Sequence, residues 1–161
     1  MTIGLHQMTG SCRCGVARFS IIGKPIFRAY CHCLICQKFN EADYADITVF
    51  YSRDVSLESE GAVAFRVYQQ PPLLKRGTCK VCGKPAIVRL NIPLMPSMAA
   101  IPSYNIQEGS SLPRPELHIF YHRRKVDIVD QLPKHTSYLS SQFHFGLAAA
   151  KSMLRGSTRN V

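Results

Sequence analysis

The sequence predicts an all-β fold of curved sheets, with one short helix near the C-terminus. Short runs of alternating or β-branched residues are separated by turns about every ten residues, and the pattern of a helix is almost absent before residue 140. The chain has 161 residues, which is enough for one domain to bury a core without disulfide bonds.

The individual strands follow from alternation and from β-branched and aromatic residues. They are predicted, in chain order, over residues 16–21, 47–51, 55–59, 63–68, 86–90 and 117–121, with a further strand over 126–129. Residues 94–104 are predicted to be a core strand or an apolar loop, and residues 37–43 a single helical turn.

The C-terminal part of the chain differs from the rest, so we divide the sequence into a domain over residues 1–137 and a tail over residues 138–161. The tail is predicted to be helical from Gln142 to Leu154, with a serine cap at residue 140 or 141, and disordered after Gly156. One apolar face of this helix consists of Phe143, Leu147, Ala150 and Leu154. We expect this helix to pack on the domain or to mediate a homodimer; a solvated tail is the alternative.

The N-terminal residues 1–10 lack a basic stretch followed by an apolar run, and no segment is apolar enough over a sufficient length to cross a bilayer. We therefore expect a cytoplasmic protein that does not enter a membrane. The formal charge is +10, and zinc–thiolate sites would reduce it without reversing its sign. A basic chain favours anionic partners, although its longest run of Lys and Arg is only Arg123-Arg124-Lys125.

The seven cysteines occur in three tight groups and are the strongest functional signal in the sequence. The groups are Cys12 with Cys14, then Cys31 with Cys33 and Cys36, and finally Cys79 with Cys82. Seven is an odd number, and neighbours at these spacings are poorly placed for disulfides that would join distant parts of a fold. Clustered cysteines in a cytosolic chain indicate a metal site or a redox site.

Zinc bound by thiolates prefers four ligands, whereas catalytic zinc keeps one position open. Seven cysteines divide naturally into four and three, although spacing alone does not show which groups share an ion. If Cys12 and Cys14 pair with Cys79 and Cys82, the compact group of Cys31, Cys33 and Cys36 is left as the open site. The alternatives for this group are a reactive dithiol or an unoccupied thiol cluster. His32 and His118 are interpreted as supporting or core residues rather than ligands.

These motifs together resemble the glutathione-dependent formaldehyde-activating enzyme family, which also includes centromere protein V. The matching segments are GSCRCG at residues 10–15, CHCLICQK at 31–38, GTCKVCG at 77–83, HIF at 118–120 and DQLP at 130–133. The resemblance covers roughly residues 8–137. The chain departs from the common pattern at Gln37, where an arginine is usual, and at Thr78, which is often aromatic.

The resemblance implies a β-tent fold of small twisted antiparallel sheets around a structural zinc, which Cys12, Cys14, Cys79 and Cys82 hold. It also implies that Cys31, Cys33 and Cys36 hold a second, labile zinc and form the catalytic centre. The implied activity is that of a carbon–sulfur lyase, which joins or cleaves an adduct of glutathione, or a similar thiol, and a small electrophile such as formaldehyde. Two other functions remain open: a non-catalytic zinc module that binds an acidic partner or nucleic acid, and a redox or metal-buffering protein.

Overall fold

A computed structural model of the chain describes residues 7–157. These residues are mostly β-sheet, as predicted, but they also form two α-helices, so the all-β class is only approximate. The strands and helices are β1 (Gln7–Ser11), β2 (Arg18–Ile22), β3 (Phe27–Cys31), α1 (Leu34–Asn40), β4 (Ala45–Tyr51), β5 (Val55–Leu57), β6 (Val63–Arg66), β7 (Leu74–Cys79), β8 (Pro85–Leu90), β9 (Met98–Pro102), β10 (His118–Ile119) and α2 (Tyr138–Ser157). Short 3₁₀ turns lie at Ser52–Asp54, Glu60–Ala62, Ser103–Asn105, Gly109–Ser111 and Tyr121–Arg123. No helix within residues 7–157 is both long enough and apolar enough to span a membrane.

The described chain divides into two compact units. The first comprises residues 7–25 and 48–112, and the second comprises residues 26–47 and 113–157. The first unit contains the antiparallel sheet β1-β2-β5 and, with the part of β4 from Thr48 onward, a run of strands in the order β4-β9-β8-β7-β6. Its core is made by side chains from both groups of strands. They include Met8, Phe19, Ile21, Phe50, Ile87 and Ile101, together with the sulfur-bearing side chains of Cys12 and Cys79.

Gly10 in β1 is required by close packing in this core. A Cβ atom at this position would lie 2.1 Å from Cε2 of Phe19 and 2.6 Å from the carbonyl oxygen of Asn105. We therefore expect Gly10→Ala to lower the free energy of unfolding by about 1–3 kcal/mol, the usual range for overpacking. Urea denaturation measures this change. Gly61→Ala is the matched control, because no heavy atom lies within 4 Å of its added Cβ. Equal stability of the two variants would contradict the argument.

The second unit is built on the parallel pair of β3 and β10, in which Tyr30 lies opposite His118 and Cys31 opposite Ile119. Helix α2 packs on these strands, and the rings of Phe27 and Phe145 meet edge to face with 5.0 Å between their centroids. Helix α1 follows β3 after two residues. The end of β3 and the start of α1 therefore lie in one short stretch of chain.

Helix α1 begins earlier and is longer than the predicted turn over residues 37–43. The sulfur of Cys33 accepts a hydrogen bond from the backbone N–H of Cys36 and so caps the N-terminus. Glu41 ends the helix in the left-handed conformation, at φ 51°. Sequence reasoning placed the start of this helix too late because a thiol is not among the usual capping groups.

Helix α2 was predicted with the wrong cap and its apolar face does not make the predicted contact with the domain. Ser137 provides the cap, since its hydroxyl accepts a hydrogen bond from the N–H of Ser140. The buried side chains are Ser141, Phe145, Ala148 and Ala149, whereas Phe143 and Leu154 on the predicted face are exposed. Small residues allow α2 to approach the strands closely, and the Ser141 hydroxyl accepts a hydrogen bond from the N–H of Phe120. The predicted homodimer stays a prediction. The tail was predicted to be disordered after Gly156, and residues 158–161 of this end lie outside the described residues.

The strand predicted over residues 126–129 is also wrong. This segment forms no strand, and Val129 is fully exposed. The N–H of Ile128 donates to the hydroxyl of Tyr121 instead of to a neighbouring strand. Alternation over four residues is too short a signal to distinguish a strand from a loop that is held by side chains.

Candidate metal and active sites

Four cysteines of the first unit form the first cluster. The sulfur atoms of Cys12, Cys14, Cys79 and Cys82 lie within 4.8 Å of one another. The Sγ atoms of Cys12 and Cys14 are 3.5 Å apart, and those of Cys14 and Cys79 are 3.7 Å apart. These separations are much longer than a disulfide bond. They agree with the value of about 3.8 Å that a tetrahedron with 2.3 Å zinc–sulfur bonds requires.

Two tight turns bring these cysteines together. Cys12 and Cys14 lie in the turn between β1 and β2, where the N–H of Gly15 donates to the carbonyl of Cys12 and Gly15 adopts φ +80°. Cys79 ends β7, and the N–H of Gly83, at φ +68°, donates to its carbonyl. The first pair thus converges through a turn. Both turns use glycine because their backbone angles are strained for other residues.

Backbone N–H groups already favour negative charge on part of this cluster. Burial opposes the thiolate of Cys79, but the N–H groups of Cys82 and Val81 outweigh it and lower the pKa of Cys79 to about 6. At Cys14 the N–H of Val16 favours the thiolate. Desolvation and the neighbouring sulfur atoms outweigh this effect and raise the pKa of Cys14 to about 12. Four thiolates this close together need a cation to neutralise them, so the donor set fits zinc.

The second cluster lies in the second unit and contains three cysteines. The sulfur atoms of Cys31, Cys33 and Cys36 lie within 4.8 Å of one another. Cys31 is the last residue of β3 and is buried, whereas Cys33 and Cys36 cap and enter α1 and are partly exposed. The cluster therefore has one buried side and one side that solvent reaches.

The sulfur atoms of the second cluster also oppose one another's ionisation. Hydrogen bonding with Cys33 and Cys36, followed by burial, raises the pKa of Cys31 well above its ordinary value. A buried thiol that disfavours the thiolate, with two further sulfur atoms at such short range, is suited to a cation that replaces its proton. Three sulfur ligands around zinc leave a fourth position for another ligand.

His32 lies between two cysteines of this cluster in sequence, but its ring takes part in a separate polar chain. Its Nε2 is 2.9 Å from Nδ1 of His118, and Nε2 of His118 is 2.8 Å from Oδ2 of Asp130. The other oxygen of Asp130 accepts a hydrogen bond from Nζ of Lys134 at 2.5 Å. Both imidazoles are buried, with exposures of 1% for His32 and 0% for His118.

The comparison with known proteins decides the family. The sequence model of the family described as "Glutathione-dependent formaldehyde-activating enzyme" matches residues 7–123, which include every cysteine of both clusters. The chain belongs to this family.

A solved structure supports the fold of this formaldehyde-activating-enzyme family member. A crystal structure of a Rhodobacter sphaeroides protein superposes with a TM-score of 0.51 at 14% sequence identity, and the match covers 63% of this chain and 89% of that one. At this identity the likeness concerns the fold alone. No curated protein matches the chain.

The structure brings together the two cysteine sets that the sequence predicted, one in each unit. Their roles as zinc ligands, and the role of the second set in catalysis, stay predictions. No disulfide joins the seven cysteines, all of which lie in the described part of the chain. Sequence reasoning did not find the contact of Asp130 with His118 or that of Lys134 with Asp130. The signal that could have found them is the DQLP motif itself, whose acidic residue is followed four positions later by Lys134.

Proposed function

We propose that this family member is a zinc-dependent carbon–sulfur lyase. It joins or cleaves an adduct of glutathione, or a similar thiol, and a small electrophile such as formaldehyde. The observation that carries the proposal is the second cluster, which offers three sulfur atoms within 4.8 Å of one another instead of the four of a closed site. Two of these cysteines, Cys33 and Cys36, are partly exposed, so a substrate thiol has access to the side of the cluster that they form.

The proposed reaction forms one carbon–sulfur bond. The sulfur of the thiol adds to the carbonyl carbon of the aldehyde, the carbon–oxygen π bond breaks, and the proton of the thiol ends on the new hydroxyl oxygen. Cleavage is the reverse of these steps, so neither direction needs an oxidant or a reductant. Zinc bound at the cluster would lower the pKa of the substrate thiol, as it does for bound water.

The residues of the chain supply position and environment. The buried Cys31 fixes the inner end of the cluster at the end of β3, while Cys33 and Cys36 hold the outer side on α1. A cluster held on regular elements orients a substrate better than a loop would, and orientation supplies much of the rate in such additions. The net charge of +10 suits a substrate with two carboxylates, as in glutathione.

We further propose one structural zinc at Cys12, Cys14, Cys79 and Cys82, and a second, labile zinc at Cys31, Cys33 and Cys36. The partners are a small-molecule thiol and an electrophile. Neither a membrane nor a nucleic acid is needed for this reaction. A reducing compartment, such as the cytoplasm, keeps seven clustered thiols available for metal.

Zinc content per chain, measured with and without glutathione, tests the proposal. We expect about two zinc ions per chain, falling toward one when glutathione competes for the labile ion at the second cluster. S-methylglutathione is the matched control, because its blocked sulfur cannot become a thiolate and should leave both ions in place. The protein is then added to glutathione and ¹³C-formaldehyde. We expect it to increase the rate at which the signal of the S-hydroxymethyl adduct appears by NMR.

A steady content of one zinc ion, with no acceleration of adduct formation, would contradict the proposal. If such a protein also bound DNA with a steep dependence on salt, the alternative of a non-catalytic module would replace it.

A further inference from the structure

A chain of polar contacts connects the DQLP motif to His32, which lies between β3 and α1 and separates two cysteines of the second cluster. It runs from Lys134 through Asp130 and His118 to His32, with successive distances of 2.5, 2.8 and 2.9 Å. His118 and His32 are 86 positions apart in the sequence, yet their rings stack with centroids 5.1 Å apart. The lyase reaction as described above makes no use of these four residues.

The contacts specify where the protons lie. The Lys134 ammonium, followed by His118, lowers the pKa of the Asp130 carboxyl to about 2, so this group only accepts hydrogen bonds near neutral pH. Nε2 of His118 must therefore donate to it. When the imidazole of His118 is neutral, its other nitrogen is an acceptor, so Nδ1 of His118 accepts from Nε2 of His32.

The backbone of His32 is held as firmly as its ring. Its N–H donates to the carbonyl of Ile119 at 3.0 Å. Its carbonyl accepts from Nε2 of Gln37 at 2.6 Å, and the same amide nitrogen donates to the carbonyl of Arg123 at 2.8 Å. Hydrogen bonds thus fix both the backbone and the side chain of the residue that separates Cys31 from Cys33.

This fixation acts on the sulfur atoms through the geometry of an extended backbone. Successive side chains of an extended segment point to opposite sides. Cys31 ends a strand, and Cys33 has extended angles of φ −63° and ψ 148°. When the ring of His32 is anchored on one side, the two flanking sulfur atoms are directed to the other. A rotation of His32 would change their separation.

We propose that His118 and Asp130 are positioning residues for the second cluster, which act through His32 to hold the sulfur atoms of Cys31 and Cys33 at a metal-binding separation. This inference rests on the proposed function, because it takes the cluster to be a zinc site. It adds that the DQLP motif serves the cluster as well as the fold. In known metal sites, outer-sphere hydrogen-bond partners contribute about 10–100-fold to metal affinity.

The test compares zinc affinity at the two clusters by competition with a chromophoric chelator. His118→Phe keeps an aromatic ring of similar size among Tyr30, Tyr121 and His32, but removes both nitrogens. We expect this variant to lose about 10–100-fold in affinity at the second cluster while the four-cysteine site keeps its wild-type affinity. The four-cysteine site lies in the other unit, so it is an internal control for general damage.

Two further variants separate positioning from packing. Asp130→Asn keeps an oxygen that accepts from His118, so it should lose less affinity than Asp130→Ala. The Asp130 side chain is partly exposed, at 26%, so we expect the Asp130 variants to fold. They therefore test the proposal even if His118→Phe does not fold. Tyr44→Phe is the matched control: it keeps the ring that packs on His32 at 5.3 Å and should bind zinc like the wild type. In the wild type, ¹⁵N shifts should show the Nε2–H tautomer for both histidines.

The outcomes are distinct. Unchanged affinity at the second cluster in His118→Phe and Asp130→Ala would overturn this inference and leave the lyase proposal standing. Equal losses at both clusters would assign the polar chain to general stability and would also overturn it. If the wild type binds only one zinc ion, the proposed function fails and this inference fails with it.

Discussion

Cys79→Ser is expected to unfold the first unit, because this cysteine belongs at once to the four-cysteine cluster and to the hydrophobic core. Serine has nearly the same size as cysteine but is a poor zinc ligand, so the change removes metal binding without leaving a large cavity. Zinc held by such sites contributes about 10–16 kcal/mol of apparent binding free energy in small peptides. Whole domains are stable by only about 5–15 kcal/mol. Loss of the ion therefore removes a free energy comparable to the whole stability of the unit.

Hydrogen exchange followed by mass spectrometry measures this loss segment by segment. In Cys79→Ser we expect amides of β1, β2, β7 and β8 to lose most of their protection. Cys36→Ser is the matched control, since it makes the same chemical change in the cluster of the second unit and should leave these four strands protected. Wild-type protection in Cys79→Ser would show that the four-cysteine cluster does not hold the unit together.

The two cysteine sets could be predicted from the sequence because ligands of one ion are close in sequence or occur in pairs. Cys31, Cys33 and Cys36 fall within six residues, so local backbone geometry nearly suffices to bring them together. The pairing of Cys14 with Cys79 across 65 positions followed from the family resemblance and from the division of seven into four and three. Spacing alone left that pairing open.

The polar chain around His32 could not be predicted in the same way. His118 reaches His32 only because β10 lies parallel to β3, and a parallel pair leaves no turn signal in the sequence. The histidines were interpreted as supporting or core residues, and both are buried, but the contact of His118 with Asp130 was not recognised. The face of α2 was misjudged for a related reason. Ala148 and Ala149 are buried because small side chains allow close packing. A rule that assigns the largest apolar residues to the core does not predict this.

Cys33→Ser is expected to abolish turnover while it preserves the fold. The thiol of Cys33 is one of three sulfur atoms in the second cluster, and a catalytic metal supplies several kcal/mol of transition-state stabilisation. Loss of that contribution corresponds to at least about a thousandfold fall in kcat/KM. The fold should survive, because serine is itself a preferred N-cap and its hydroxyl can accept the hydrogen bond that Sγ of Cys33 now accepts from the N–H of Cys36.

Kinetics of adduct formation, zinc content and hydrogen exchange should be measured on the same preparations. The matched control is Leu34→Ser, at the next residue, which begins α1; its side chain is exposed at 58% and offers no ligand atom. We expect this control to keep two zinc ions and wild-type turnover, whereas Cys33→Ser keeps one ion and wild-type protection of both units. Full turnover in Cys33→Ser would remove the second cluster from the catalytic centre. Equal losses in both variants would instead assign the effect to the backbone at the start of α1, because only Cys33→Ser changes the sulfur donors.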